Sequence, residues 1–217
     1  MILQQQSLTG KNILVTCGPT WVPIDSVRVI SNTSTGQMGH LIAQKLTQRG
    51  ARVTLLEGPV TDPTPVGSVK VIKFRFYDEL EKFLKSELKK KYSALLQCAA
   101  VSDYRLKKVF SNKINSDRAG LTLQLVPTLK LISEVKKINP GIFLVGFKLE
   151  TKQSLRNLKQ KARQLIRQSH CDLVLANSGS ALSYRGYIID PSGEILAEGK
   201  SKEGITEKLS RILCKKL

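Results

Sequence analysis

Lys11-Asn12-Ile13-Leu14-Val15-Thr16-Cys17-Gly18-Pro19-Thr20 carries the first strand pattern of the chain, and the rest of the architecture follows from it. A short β-branched and aliphatic run, cut off by Gly18-Pro19, reads as a buried strand. A loop then runs through Asn32. From Thr35 to Arg49 the residues Met38, Leu41, Ile42 and Leu46 recur at helical spacing, and Gly50 supplies a C-cap.

The same alternation repeats downstream. Ala51 to Leu56 reads as a strand, Gly58 to Gly67 as a proline-rich loop and Val69 to Phe74 as a third strand. Tyr77 to Lys91 is an amphipathic helix with Leu80, Phe83, Leu84 and Leu88 inward. Ser93 to Ala100 is a fourth buried strand. The basic segment after it has no period and reads as a flap over about residues 101–120. Leu121 to Leu125 is strand-like and Thr128 to Lys137 helical. Gly141 to Leu149 is a strand, Lys152 to Gln168 a helix, and Asp172 to Ala176 a strand with Asn177 directly after it. Tyr184 to Ile189, the turn Asp190-Pro191-Ser192-Gly193 and Glu194 to Glu198 form a hairpin, and a helix capped by Ser201 follows. The expected fold is α/β: a Rossmann-like, doubly wound, mostly parallel sheet with a C-terminal β-hairpin and helix. No repeat or dividing linker breaks the 217 residues, so one domain over 1–217 is expected.

Composition narrows the class. The chain is 41% hydrophobic and 24% charged, ordinary for a globular protein. No apolar run reaches the roughly 18 residues of a membrane span, and residues 1–6 do not form a signal peptide, so a cytoplasmic protein is expected. Cys17, Cys98, Cys171 and Cys214 form no C-x-x-C pair, and only His40 and His170 could join them; reduced thiols are expected rather than a zinc cluster. The net charge of +18 points to anionic partners, but much of it falls on helix faces, where solvated lysines are ordinary.

Two stretches carry chemistry. Gly18-Pro19-Thr20 closes the first strand and Thr33-Ser34-Thr35-Gly36 opens the first helix, a strand–loop–helix start suited to a phosphate. Neither G-x-G-x-x-G nor G-x-x-x-x-G-K-[ST] is present. Asn32, just before that helix, carries an amide that can donate and accept at once. Ala99-Ala100 ends the fourth strand with minimal side chains, Asp103 follows as an acceptor, and Lys113 closes the basic flap. No G-x-S-x-G, Cys-His pair or H-E-x-x-H is visible, so chemistry by positioning and electrostatics is expected, with Mg²⁺ as the expected ion and its ligands unassigned.

Taken together, these stretches resemble the phosphopantothenate–cysteine ligase family of coenzyme A biosynthesis. The resemblance runs through Asn12–Thr16, Pro23–Arg28, Asn32–Gly39, Gly58-Pro59-Val60, Ala99–Tyr104, Asn112-Lys113-Ile114, Val145–Thr151 and Ala176-Asn177. It implies a ligase that activates 4′-phosphopantothenate as an acyl-nucleotide and passes the acyl group to cysteine. It further implies catalytic roles for Asn32 and Lys113, and substrate contacts from Arg28, Asn32, Ala99, Ala100 and Asp103. The nucleotide would meet Gly18, Thr20, Ser34, Thr35, Gly36, Ala99, Asp103, Lys113, Phe147 and Lys161. CTP is the expected co-substrate ahead of ATP. A homodimer is implied, with Arg28 reaching the neighbouring subunit's substrate.

Departures from the family pattern are Pro19, which removes a backbone donor from the phosphate loop, Pro127-Thr128-Leu129-Lys130, and Lys148-Leu149 in the Phe147–Thr151 run. Leu165 stands where a second nucleotide lysine is usual, with Arg163 or Arg167 as candidates to replace it. Because the ligase-like sequence starts near residue 11, a monofunctional enzyme without flavin is expected. The rival classes are a Rossmann-type oxidoreductase, weakened by the missing glycine fingerprint, and a basic nucleic-acid-binding protein. The second is weakened by an aromatic content of 6%.

Overall fold

The computed structural model describes residues 7–61, 67–117, 119–151, 154–180 and 183–217. Expectations for residues 1–6, for 62–66 of the proline-rich loop and for 152–153 lie outside the described residues. The elements in order are β1 (Asn12–Cys17), β2 (Trp21–Pro23), β3 (Val29–Ser31), α1 (Gln37–Gln48), β4 (Arg52–Glu57), β5 (Lys70–Lys73), α2 (Tyr77–Glu87) and β6 (Ala94–Gln97). They continue with β7 (Tyr104–Leu106), β8 (Leu125–Pro127), α3 (Leu131–Ile138), β9 (Phe143–Glu150), α4 (Leu155–Ser169), β10 (Leu173–Ser180), β11 (Ser183–Ile189), β12 (Ile195–Gly199) and α5 (Lys202–Lys216).

The main sheet runs β12-β11-β10-β9-β6-β1-β4-β5. The pairs from β10 to β5 are all parallel, whereas β11 and β12 join as an antiparallel hairpin at one edge. From β1 the chain winds outward to β4 and β5; from β6 it winds the other way to β9 and β10. The expected doubly wound sheet with its terminal hairpin and helix is therefore the observed fold. It has the Rossmann strand order without the Rossmann glycine fingerprint. An open α/β sheet of this kind leaves a crevice at the carboxyl ends of the two strands where the winding reverses, here β1 and β6.

Period-two alternation explains the three layers. Ile13, Val15 and Cys17 of β1 face α1 and α5, with Ile42, Ala43, Leu46, Ile205, Leu209 and Leu213 opposite them. Leu14 of β1 and Leu95 of β6 face the other way, onto Leu80 and Leu84 of α2, Val135 of α3 and Leu158 of α4. Each fully buried leucine contributes about 1.5–3 kcal/mol. Among the described residues no helix is long and apolar enough to cross a membrane.

Several boundaries move from the sequence expectation. The helix expected to Lys91 stops at Glu87, because the Lys90 amide and ammonium both fold back onto Glu87. The strand expected at Leu121–Leu125 lies instead at Leu125–Pro127, where it pairs with Tyr104–Leu106 inside the expected flap. The helix expected from Thr128 begins at Leu131. Thr128 is held back by its amide on the Asp103 carbonyl (2.9 Å) and its hydroxyl on the Ser102 carbonyl (2.6 Å). A second small hairpin, β2–β3, occupies what the sequence left as loop.

Gly39 fixes where α1 begins relative to β1. A Cβ there would lie 2.3 Å from the Cβ of Cys17, so only a bare backbone lets the first helical turn rest on the strand end. Gly39→Ala is expected to lower stability by about 1–3 kcal/mol, read as a lower urea midpoint. In a cycle with Cys17→Gly the two changes should cost less than their sum; strict additivity would show that no clash exists.

Candidate active site

A cavity of about 1200 Å³ opens at the carboxyl ends of β1 and β6. Its walls are Asn32–Gly39, Gln97–Asp103, Thr128–Ser133 and Phe147–Leu149, closed by Lys161, Gln164, Leu165, Gln168, Ser169, Asn177, Gly179, Tyr184 and Lys202.

The two motif stretches meet directly. Asn32 Nδ2 donates to the Ala100 carbonyl at 3.0 Å, so the amide before α1 is tied to the residue that ends the β6 segment. Its Oδ1 has no partner among the described residues and remains an acceptor at the cavity edge. Gly36, with φ at 74°, turns the chain into α1, and no side chain caps the helix. Ser34 and Thr35 reach the amides of Gly36 and Gln37 only at 3.4 Å. Uncapped first-turn amides and the positive helix end border the cavity, which is the physical requirement for an anion site.

The expected site residues divide by location. Asn32, Ser34, Thr35, Gly36, Ala99, Ala100, Asp103, Phe147 and Lys161 line the cavity. Gly18 and Thr20 lie beneath it. Gly18, at φ 77°, passes so close to Gly58 that an added Cβ would stand 3.1 Å from its backbone. Thr20 is fully buried, and its hydroxyl accepts from the Ser102 amide at 2.9 Å. Both shape the floor of the site instead of facing its contents.

Arg28 and Lys113 lie elsewhere, together. Asp25 Oδ1 accepts from the amides of Val27 and Arg28, each at 2.9 Å, and its Oδ2 accepts from the Ile114 amide at 3.0 Å and Arg28 Nη1 at 2.7 Å. Arg28 Nη1 also donates to the Ile114 carbonyl at 3.1 Å. The flap is thus clamped to the β2–β3 hairpin next to Lys113, whose own side chain is exposed. The Ile114 amide, with those of Val27 and Arg28 and the guanidinium, holds the Asp25 carboxyl down at about 2.

Charge inside the cavity is arranged in pairs. Lys130 binds Asp103. Lys161 and Lys148 meet Glu150 at 2.6 and 3.1 Å. Burial alone would raise the Glu150 carboxyl, but the hydrogen bonds from Lys161 and Lys148 outweigh it and the net shift is downward. Asp103 is the one carboxylate among the described lining residues. Arg163 and Arg167 do not line the cavity; Arg163 lies against Gly193 in the β11–β12 turn. Lys130, Asn177, Tyr184 and Lys202 were missed as site residues, since only the tertiary fold brings them to the β1/β6 crevice.

Cys17, His40 and Glu57 form a buried group whose ligand-type atoms lie within 4.8 Å of one another. His40 Nε2 and Glu57 Oε1 are 2.6 Å apart, a contact that takes up the space an ion would need. This pair braces the first turn of α1 against the end of β4. Burial pushes the Cys17 and Cys98 thiols well above their ordinary value, Cys17 helped by Glu57 and Cys98 by Cys17. Neither thiol is a thiolate nucleophile at neutral pH.

An uncapped helix start and a strand-end cavity lined by four lysines mark this crevice as the candidate site of an α/β protein. Residues 8–213 match the family model of the DNA/pantothenate metabolism flavoprotein C-terminal domain, and the chain belongs to that family. The resemblance drawn from the motifs is borne out at this level.

It is similar to the coenzyme A biosynthesis bifunctional protein CoaBC of Thermococcus kodakarensis, 44% identical over 177 residues, 81% of this chain and 43% of that protein. The protein of the same name from Borreliella burgdorferi is 31% identical over 217 residues, covering 97% of this chain and 54% of its own. The chain thus spans about half the length of the curated relatives it matches. The crystal structure of the DNA/pantothenate metabolism flavoprotein from Streptococcus pneumoniae superposes with a TM-score of 0.86 at 29% identity, over 95% of this chain and 100% of that one.

Because the Asp25 carboxyl is lowered from 3.8, its clamp is complete above about pH 4 and is lost as pH falls toward about 2. Asp25→Ala should release the flap at any pH. Trypsin is expected to cut after Lys107, Lys108 or Lys113 severalfold faster than in the wild type, while the core remains intact. Equal cleavage rates would show that Asp25 does not hold the flap.

Proposed function

We propose that this protein is a phosphopantothenate–cysteine ligase acting in coenzyme A biosynthesis. The observation that carries the proposal is the Asn32–Ala100 hydrogen bond, which joins the two motif stretches at one cavity beside an uncapped helix start. Membership of the pantothenate-metabolism family supports it.

In the first step a carboxylate oxygen of 4′-phosphopantothenate attacks the α-phosphorus of a nucleoside triphosphate, CTP ahead of ATP. The bond to the β-phosphate breaks and pyrophosphate leaves. In the second step the amine of cysteine attacks the acyl carbon of the mixed anhydride, the nucleoside monophosphate departs, and the amine gives up a proton. The substrates supply both nucleophiles, so the protein needs only to position and neutralise charge.

The α1 start with Ser34, Thr35 and Gly36 receives phosphate oxygens, and Phe147 and Lys161 border the nucleoside. Ala99 and Ala100 allow close approach of ligand to backbone. The free Oδ1 of Asn32 accepts from the attacking amine, and Lys113, brought in by the flap, meets the charge developing at the α-phosphate. Mg²⁺ would be held mainly by the triphosphate, with Asp103, which pairs with Lys130 in this structure, as the lining carboxylate nearest to hand, and would supply charge neutralisation of the phosphates. No flavin takes part in either step.

A homodimer with shared sites fits the exposed apolar residues Val27 and Val29 on one small hairpin and Tyr104 and Leu125 on the other. Arg28 lies between the first two, at the edge from which it would reach a neighbouring subunit. One ligase domain over 1–217, acting in the cytoplasm on small molecules without membrane or specific nucleic acid, completes the proposal.

Pyrophosphate release with phosphopantothenate, cysteine, Mg²⁺ and CTP or ATP tests the assignment, and no release with either nucleotide would sink it. Asn32→Ala is expected to release pyrophosphate yet accumulate acyl-nucleotide, with turnover down by about 100-fold or more. Lys113→Ala should be stopped before that intermediate. Normal acyl-nucleotide formation by Lys113→Ala would remove the flap lysine from the first step.

A further inference from the structure

Four lysines line the cavity: Lys130, Lys148, Lys161 and Lys202. The first three have carboxylate partners, Asp103 for Lys130 and Glu150 for the other two. Lys202 has none among the described residues. Its Nζ donates instead to a neutral acceptor, Gln37 Oε1, at 2.6 Å.

The position is electrostatically unusual. Lys202 is the first residue of α5 and Gln37 the first of α1, so one hydrogen bond joins two helix starts. A cation at a helix N-terminus is repelled by the helix dipole. Here the same ammonium is also drawn to the second positive end, that of α1. Glu203 follows it in the α5 first turn but makes no ion pair with it. The start of α5 is capped by Ser201 and carries Glu203 in its first turn, whereas the α1 start is uncapped, so the Lys202 ammonium and the α1 end share one wall of the cavity with no carboxylate paired to the ammonium among the described residues. That arrangement opposes the ligand-free state and favours a multiply charged anion. The ammonium has three donors and Gln37 accepts from one.

Resting on the nucleotide assignment made above, we propose that Lys202 binds the phosphate chain of the nucleoside triphosphate, with Gln37 aiming its ammonium at the α1 start. It is the cation that the cavity holds in place of Arg163 and Arg167, the two that the sequence offered for the missing nucleotide lysine.

Calorimetric titration of the whole protein with inorganic pyrophosphate and with CTP or ATP, for wild type, Lys202→Met and Lys202→Arg, tests the proposal. Lys202→Met is expected to weaken both pyrophosphate and triphosphate binding by about 10- to 100-fold. Lys202→Arg should restore most of the loss. In turnover assays the methionine variant should raise KM for the nucleotide and leave KM for cysteine unchanged. Without ligand it should melt at or above the wild-type temperature, since a repelled cation has been removed. Wild-type pyrophosphate binding by a folded Lys202→Met variant would overturn the proposal, and a lower melting temperature would show Lys202 to be a strut. Wild-type protein that binds neither nucleotide would overturn the ligase assignment itself, and the role of Lys202 with it.

Discussion

The backbone of Ala100 is the point on which the site depends. Its amide donates to the Gly18 carbonyl at 2.9 Å, and its carbonyl accepts from the Thr20 amide at 3.3 Å and from Asn32 Nδ2 at 3.0 Å. The first two bonds extend the parallel β1–β6 ladder past the strand ends, through the bridge between Pro19 and Ala100. The third fastens the entry to α1 onto that extension. Buried backbone groups must be paired, and here the pairing places the helix start, the small-residue strand end and the motif asparagine around one crevice. Pro19 has no amide to offer, yet the ladder holds because the donors are the amides of Thr20 and Ala100, and Gly18 supplies only a carbonyl acceptor.

Rigid and attached parts of the site have different physical origins. The crevice floor stands on strands whose side chains are almost all buried, and on the His40–Glu57 contact beneath the first turn of α1. The flap has a smaller footing: the short β7–β8 pair, the carboxylate of Asp25 and a buried Ile114. Lys113 consequently sits on a segment fixed by a few polar contacts, next to Arg28 and outside the cavity wall. A charged group required in only one step is well placed on such a segment, because repositioning it disturbs no hydrophobic core.

Much of this was legible in the sequence where the period was long enough to read. The runs Ile13–Cys17 and Leu95–Leu96 could only be buried strands, and Met38–Leu46 could only be an amphipathic helix over them. Strands of three residues, such as Trp21–Pro23 and Tyr104–Leu106, carry no readable period, so the β2–β3 hairpin and the first strand of the β7–β8 hairpin passed as loop. Thr128 was misread as helical because its tie to Ser102 is a tertiary contact across 26 positions. Asn32 and Lys113 stood out only as members of ordered motifs, and the fold then separated them, one on the cavity edge and the other on the clamp with Arg28. Lys202 left no signal at all: its partner is 165 positions away, and locally it is one more lysine in a very basic chain.

The distribution of charge explains why so basic a chain can present a selective site. On the outer helix faces lysines pair at short range, Lys85 with Glu81 and Lys137 with Glu134, and such exposed pairs contribute little to stability or specificity. Around the cavity each carboxylate removes a particular cation from play: Asp103 on its wall takes Lys130, and Glu150, behind the wall, is shared by Lys148 and Lys161. What remains unneutralised there is therefore set by where the acids are, not by the number of lysines. The residue that keeps its charge is the one tied to the uncapped start of α1, so the surplus positive potential falls beside backbone amides that already need acceptors. With the Cys17 and Cys98 thiols kept neutral by burial, those donors and ammonium groups are the chemistry the cavity offers, and they suit a reaction whose nucleophiles arrive with its substrates.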